Sequence, residues 1–248
     1  MILLMSTSPS ISGSGCFVEG LKMLLLPELR WYVLWPLLIN VVVFSGILYW
    51  SSGLFSQWLA ILTDWMPDWL SFLEYLIWPL FFLMVLAIVF FTFTIIGNLI
   101  ASPFNALLSE RVQRMEGAEL PGLTLKDWLT ILPRSMGREL RKILYFLPRA
   151  LVLMVLSFVP VVGTVFWFVF NGWMMSIQYC DYPADNRGVS FKEMLSELKQ
   201  NNPASWTFGI TVNLMMLIPL LNLLIMPAGV VGATLFWERK VVKSGGTH

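Results

Sequence analysis

Charged residues in this chain fall into separated clusters, and the intervals between them are long and apolar. Arg30 and Asp64 bracket an uncharged run over 31–63. Within it Trp31 to Trp50 is 20 residues, about 30 Å as an α-helix, which matches the hydrocarbon thickness of a bilayer. Trp31 and Trp35 at one end and Trp50 at the other suit interfacial belts, and Pro27 suits a first helical turn. Glu74 and Glu110 bracket the next run, in which Trp78–Ile96 is dense in Leu, Phe, Ile and Val and can span once.

Two more uncharged runs, 150–180 and 200–237, are each interrupted near the middle. The first breaks at Val159-Pro160-Val161-Val162-Gly163, the second at Ile218-Pro219-Leu220-Leu221-Asn222. Proline removes a helix donor, and Gly or Asn three residues on suits a turn. Each half is then roughly 15 to 24 Å long, short for a span. The pattern fits two re-entrant helical hairpins or, equally, two proline-kinked transmembrane helices. Paired breaks of this kind also point to transporters with discontinuous helices.

Composition turns a helical pattern into a membrane protein. Of 248 residues, 57% are hydrophobic and 12% charged, where an average soluble domain carries roughly 25% charged. This excludes an ordinary soluble enzyme, a disordered chain and a secreted disulfide scaffold. The expected architecture is a single all-α integral membrane domain over 1–248, with flexible ends at 1–15 and 241–248. The N-terminus lacks the basic region and cleavage site of a secretory signal. Net charge is +1, so nothing draws nucleic acid. Segment 110–149 holds eight basic residues, whereas the connection with Asp64, Asp68 and Glu74 holds none. The positive-inside tendency therefore places 110–149 in the cytoplasm as an amphipathic basic helical segment.

Candidate chemistry is confined to a few places. Arg134, Arg138, Arg141 and Tyr145 follow a 4-3-4 spacing on one helix face, either a headgroup-facing surface or an anion-attracting vestibule. Pro27-Glu28-Leu29-Arg30 combines unpaired helix-start amides with a fixed cation, or is a membrane-edge anchor. Gly97-Asn98 and Ser102-Pro103-Phe104-Asn105 line a polar path or join helices. In Gln178–Asn186, Asp181 or Asp185 is expected to cap a helix rather than hold calcium. Cys16 and Cys180 read as free apolar residues, and the one histidine is His248. With no nucleotide, hydrolase or zinc motif, no enzyme, cofactor or metal is expected.

Several segments together resemble the CysZ-type bacterial sulfate permeases, over about residues 16 to 240. They are Pro27-Glu28-Leu29-Arg30 with Pro36-Leu37-Leu38-Ile39-Asn40, Asn98 with Ser102 to Arg111, Arg138 to Lys142 with Tyr145, Gln178-Tyr179 with Asp181-Tyr182-Pro183, and Pro219 to Asn222 with Pro227 and Gly232-Ala233-Thr234. The resemblance implies sulfate uptake across the inner membrane for cysteine biosynthesis. It implies two long transmembrane helices, two hemi-penetrating hairpins, lipid contact, and homo-oligomers of two or more copies. It also implies sulfate binding at a Gly-Leu-Arg-Arg stretch, matched here by Glu28, Leu29, Arg30 and Trp31. Glu28 replaces the glycine and Trp31 the second arginine, so the Leu29 backbone and Arg30 carry over. The expected ion path adds Asn98, Asn105, Glu110, Arg111, Arg114, Arg134, Arg138 and Arg141. A non-transporting scaffold or regulator, or a permease for another oxyanion such as sulfite, is the alternative.

Overall fold

The computed structural model describes residues 12–64, 79–80, 82–84, 86–87, 101–120, 125–159, 161–218 and 222–243. Among these the regular structure is helical, with no strand. The helices are α1 (Gly13–Met23), α2 (Pro27–Asp64), α3 (101–115), α4 (Leu125–Leu156), α5 (Val162–Asn186), α6 (Phe191–Gln200), α7 (Asn202–Met215) and α8 (Asn222–Phe236). A π-helical turn over Trp237–Val242 prolongs α8. The chain divides into two compact units, Leu34–Ser102 and the combination of Met1–Val33 with Pro103–His248.

Helix α2 starts at Pro27, where a missing N–H costs nothing, and carries Pro36 without breaking. Its Pro27–Ile47 portion is long and apolar enough to cross a membrane. Trp31, Trp35 and Trp50 are exposed along it. Of the second expected span, 78–96, only short helical pieces around 79–87 fall among the described residues, and Asn98 lies outside them.

Two expectations about the ends are corrected. Residues 12–15 are ordered by a helix: Ser12 Oγ accepts the Gly15 N–H at 3.2 Å, and Gly13, Cys16, Phe17, Gly20 and Met23 form its buried stripe. Residues 241–243 continue the C-terminal helix, with Val241 buried.

The break after Leu156 is a chain reversal, not a kink. Legs α4 and α5 run antiparallel, joined in succession by Arg138–Asp181, Tyr145–Trp173, Phe146–Phe170 and Ser157–Trp167. Gly163 serves close approach here, since an added Cβ would lie 2.6 Å from Ser157 Cα. Val161 adopts φ 68°, a costly value for a β-branched residue. Helix α5 then packs on α7 through Gly172, Ser176, Gly209 and Asn213, where a Cβ on Gly209 would collide with the Gly172 carbonyl.

The middle of α7 meets the end of α8, with Phe208 and Phe236 stacked at 6.1 Å, so the chain reverses here too. Helix α1 fills the space between these legs. Gly13 abuts Ala204 and Phe208, and an added Cβ on Gly20 would lie 2.5 Å from the Gly232 nitrogen. The core gathers Cys16, Phe17, Leu29, Leu108, Ile177, Phe208, Val231 and Trp237.

Candidate functional site

The nine arginines of the sequence are all among the described residues, and they sort by partner. Arg111, Arg114, Arg134, Arg138, Arg187 and Arg239 each hold a carboxylate. Arg30, Arg141 and Arg149 hold none among the described residues.

The first turn of α2 brings several expected residues together. Glu28, whose negative charge opposes an anion at this position, is engaged by Arg111 of α3 at 2.5 Å. Arg30 is exposed, and its Nε donates to the Leu25 carbonyl at 3.2 Å. Leu29 is fully buried, and its N–H donates to the Leu26 carbonyl at 3.1 Å. Trp31 is exposed. The turn therefore presents a guanidinium beside a compensated carboxylate.

The α4–α5 foot is a dense ion-pair network. Arg138 is 7% exposed; it reaches Asp181 Oδ1 at 2.5 Å and Asp185 Oδ1 at 2.9 Å. Arg134 also holds Asp185, and Lys142 holds Glu139 at 2.6 Å and Asp181 at 3.4 Å. Burial lowers the Lys142 pKa, but attraction by Asp181, Tyr182 and Glu139 outweighs it, leaving the amine above the ordinary lysine value. The expectation that Asp181 or Asp185 caps a helix is corrected. Helix α5 continues through Pro183 to Asn186, and both carboxylates, one turn apart, face the cations of α4. Arg134 and Arg138, expected to share with Arg141 either a headgroup-facing surface or an anion-attracting vestibule, are pulled onto α5. Arg141 stays exposed.

Helix α3 contributes a buried polar stripe at four-residue intervals. Asn105 donates to Tyr182 Oη at 3.5 Å, Ser109 pairs with Thr234 at 2.8 Å, and Gln113 donates to Glu238 at 2.8 Å. Asn186 donates to Gln113 Oε1 at 2.9 Å. Glu110 pairs with Arg114 on its own helix at 2.8 Å. Sequence reasoning missed Ser109, Gln113, Glu116, Arg187, Glu238 and Arg239. The recurrence of polar residues at Asn105, Ser109 and Gln113 was the available signal. Arg239, set between Glu116 at 2.6 Å and Glu19 at 2.8 Å, lies above the ordinary arginine pKa, chiefly through its hydrogen bonds with Glu116.

Cys16 and Cys180 are buried and free. Burial pushes the Cys16 thiol up to about 12, which keeps it unreactive. The arrangement thus offers buried, charge-balanced cations and a few exposed guanidiniums, which suit holding an oxyanion by electrostatics and forked hydrogen bonds.

Comparison with known proteins agrees with that chemistry. The family described as "Sulfate transporter CysZ/Etoposide-induced protein 2.4" matches residues 16–227. A protein of Pseudomonas aeruginosa (strain LESB58) named "Sulfate transporter CysZ" is 49% identical over 237 residues, covering 94% of this chain and 96% of that protein. Proteins of the same name from Pseudomonas fluorescens (strain Pf0-1) and Pseudomonas syringae pv. tomato (strain ATCC BAA-871 / DC3000) are 48% and 46% identical, each over 238 residues and 94% of this chain, covering 95% and 94% of their own lengths. The chain belongs to the sulfate transporter CysZ/etoposide-induced protein 2.4 family.

Proposed function

We propose that this protein carries sulfate into the cell across a bacterial inner membrane, supplying sulfur for cysteine biosynthesis. The observation that carries the substrate is the near-full-length identity to proteins named sulfate transporter. Membrane placement draws support from the hairpin tips. Phe158 is 86% exposed and is surrounded in sequence by exposed Val155, Val159, Val161 and Val165, whereas the ion pairs lie at the opposite end. The tip of the second hairpin likewise exposes Leu214, Leu217, Ile218 and Leu224. Legs α7 and α8, of 14 and 15 residues, reach about 22 Å, less than a hydrocarbon core of about 30 Å. The second hairpin is thus too short to span, and in the first the uncharged stretch from Arg149 to the tip at Phe158 is about 13 Å of helix; both dip in and return, while α2 and the 78–96 segment span, and copies assemble as dimers or larger oligomers.

Sulfate is captured at Glu28–Trp31, by Arg30 together with backbone groups of Glu28, Leu29 and Trp31, the Leu29 N–H exchanging the Leu26 carbonyl for the anion. Arg111 removes the penalty of Glu28. The onward path uses Asn105, Glu110, Arg111, Arg114, Arg134, Arg138 and Arg141, with sulfate exchanging for the carboxylates that already hold Arg111, Arg114, Arg134 and Arg138. Such exchange keeps each site weak enough for release and avoids an unpaired arginine in hydrocarbon, which costs about 2.5–3.5 kcal/mol on insertion scales.

The test is sulfate uptake into proteoliposomes, with and without an imposed proton gradient. Uptake that only follows the sulfate gradient indicates a channel-like path; accumulation that requires the proton gradient indicates coupling. No uptake above protein-free vesicles, with folded protein inserted, overturns the transport reading in favour of a scaffold. Replacing Arg30 by Ala is expected to lower sulfate affinity roughly tenfold or more, the scale of a lost charge-assisted hydrogen bond. Unchanged affinity removes Arg30 from the site.

A further inference from the structure

We propose that Arg149 binds the phosphate of an anionic phospholipid at the waist of the α4–α5 hairpin. The proposal goes beyond sulfate transport but rests on the hairpin entering the bilayer. Arg149 is exposed and holds no carboxylate among the described residues. Its guanidinium carbon lies 3.6 Å over the Tyr145 ring, and Nη1 donates to the Tyr145 carbonyl at 2.6 Å. The stack and the bond fix the fork in place. An arginine has five N–H donors, so several remain for an outside acceptor.

The level of this fork in the hairpin identifies its ligand. Tyr145 Oη accepts from Trp173 Nε1 at 3.1 Å, and Trp173 packs on Trp206 at 5.2 Å. Trp173 is buried, so Tyr145 and Trp206, both only partly buried, are the amphipathic aromatics of this layer suited to the headgroup boundary. From Arg149 to the tip residue Phe158 is about 13 Å of helix, roughly half a hydrocarbon core. Over that distance Leu151, Val152 and Val155 are exposed on α4. Coming from the tip, Arg149 is the first charged residue on either leg; beyond it, exposed Leu147, Leu144 and Ile143 lead into the charged foot at Lys142, Arg141 and Arg138. The fork therefore sits where hydrocarbon gives way to phosphate. Exposed Leu147, Leu151 and Val152 offer an acyl chain a surface that a free, fully hydrated oxyanion does not use. Arg30, by contrast, bonds back to the Leu25 carbonyl.

Native mass spectrometry of the purified protein, offered phosphatidylglycerol and phosphatidylcholine with identical acyl chains, tests the site. The wild type is expected to retain phosphatidylglycerol about fivefold over phosphatidylcholine, the scale of one arginine at an anionic surface. Arg149→Met should bring the ratio near parity, and Arg141→Met should leave it. An unchanged ratio in Arg149→Met, an equal loss in Arg141→Met, or removal of the preference by millimolar sulfate overturns the proposal. Should Arg149→Met not fold, Arg149→Gln decides: it removes the charge but keeps a polar side chain, and a wild-type ratio there overturns the site. A wild type retaining neither lipid overturns the inserted hairpin as well. Sulfate uptake is expected to be unchanged in Arg149→Met.

Discussion

The two hairpins carry similar interruptions in sequence and are filled in different ways. Legs α4 and α5 touch each other directly, through Arg138 with Asp181 and Asp185 at the foot and aromatic pairs above. Legs α7 and α8 instead enclose α1, with Gly13, Gly20 and Gly232 at the tight points. A proline-centred break encodes where the chain turns back. What lies between the legs is encoded elsewhere: by long charged side chains in one case, and by glycines that let a third helix in close in the other.

Three substitutions sharpen that contrast. The largest effect belongs to Asp181→Ala. It removes the carboxylate shared by Arg138 and Lys142, both nearly buried; Asp185 and Glu139 still face them, so the cost is about 3 kcal/mol, the lower end for breaking a buried ion pair. A detergent-solubilised sample should show a large fall in thermal stability; an unchanged melting temperature would mean that the foot does not hold the first hairpin together. Next comes Gly20→Val in α1. Its added carbons meet the backbone of α8, and overpacking costs about 1–3 kcal/mol or more where backbone must move. Loss of stability there, with Gly46→Val tolerated, would locate the second hairpin's cohesion in α1; nothing lies within 4 Å of a Cβ at Gly46. The smallest effect has the opposite sign. Val161→Gly relieves the φ of 68° at the first hairpin's turn, and should raise stability by about 1 kcal/mol, the lower end of the left-handed penalty. A fall in stability would show that the valine side chain matters more than its backbone.

Much of the fold was legible. The α2 span was marked by Pro27, by tryptophans at both ends and by the uncharged interval between them. Both reversals were marked by their prolines, although a kink fitted the same residues. Helix α1 was missed although Cys16, Phe17, Gly20, Met23 and Leu24 recur at helical spacing, because its serines and glycines read as a loop. Asp181 and Asp185 were misjudged for a similar reason. Pro183 and Asn186 suggest a turn, while the i, i+4 spacing of the two carboxylates suggests a helix face whose partner lies 43 residues away. The site was less legible than the fold. One sequence shows nine arginines but not which of them already hold a carboxylate, and that distinction separates Arg30 and Arg141 from Arg138.

Arg239 has a consequence for how the protein is made. It clasps Glu19 of α1 and Glu116 beyond α3 with four hydrogen bonds. A ribosome delivers those two acids before their shared cation. Throughout synthesis the two carboxylates repel each other or remain apart, so α1 has no electrostatic reason to lodge before the C-terminal helix arrives. Closure of the bundle is thereby tied to synthesis of the helix that carries Arg239, and a product truncated before it is left with an open seam for quality-control proteases.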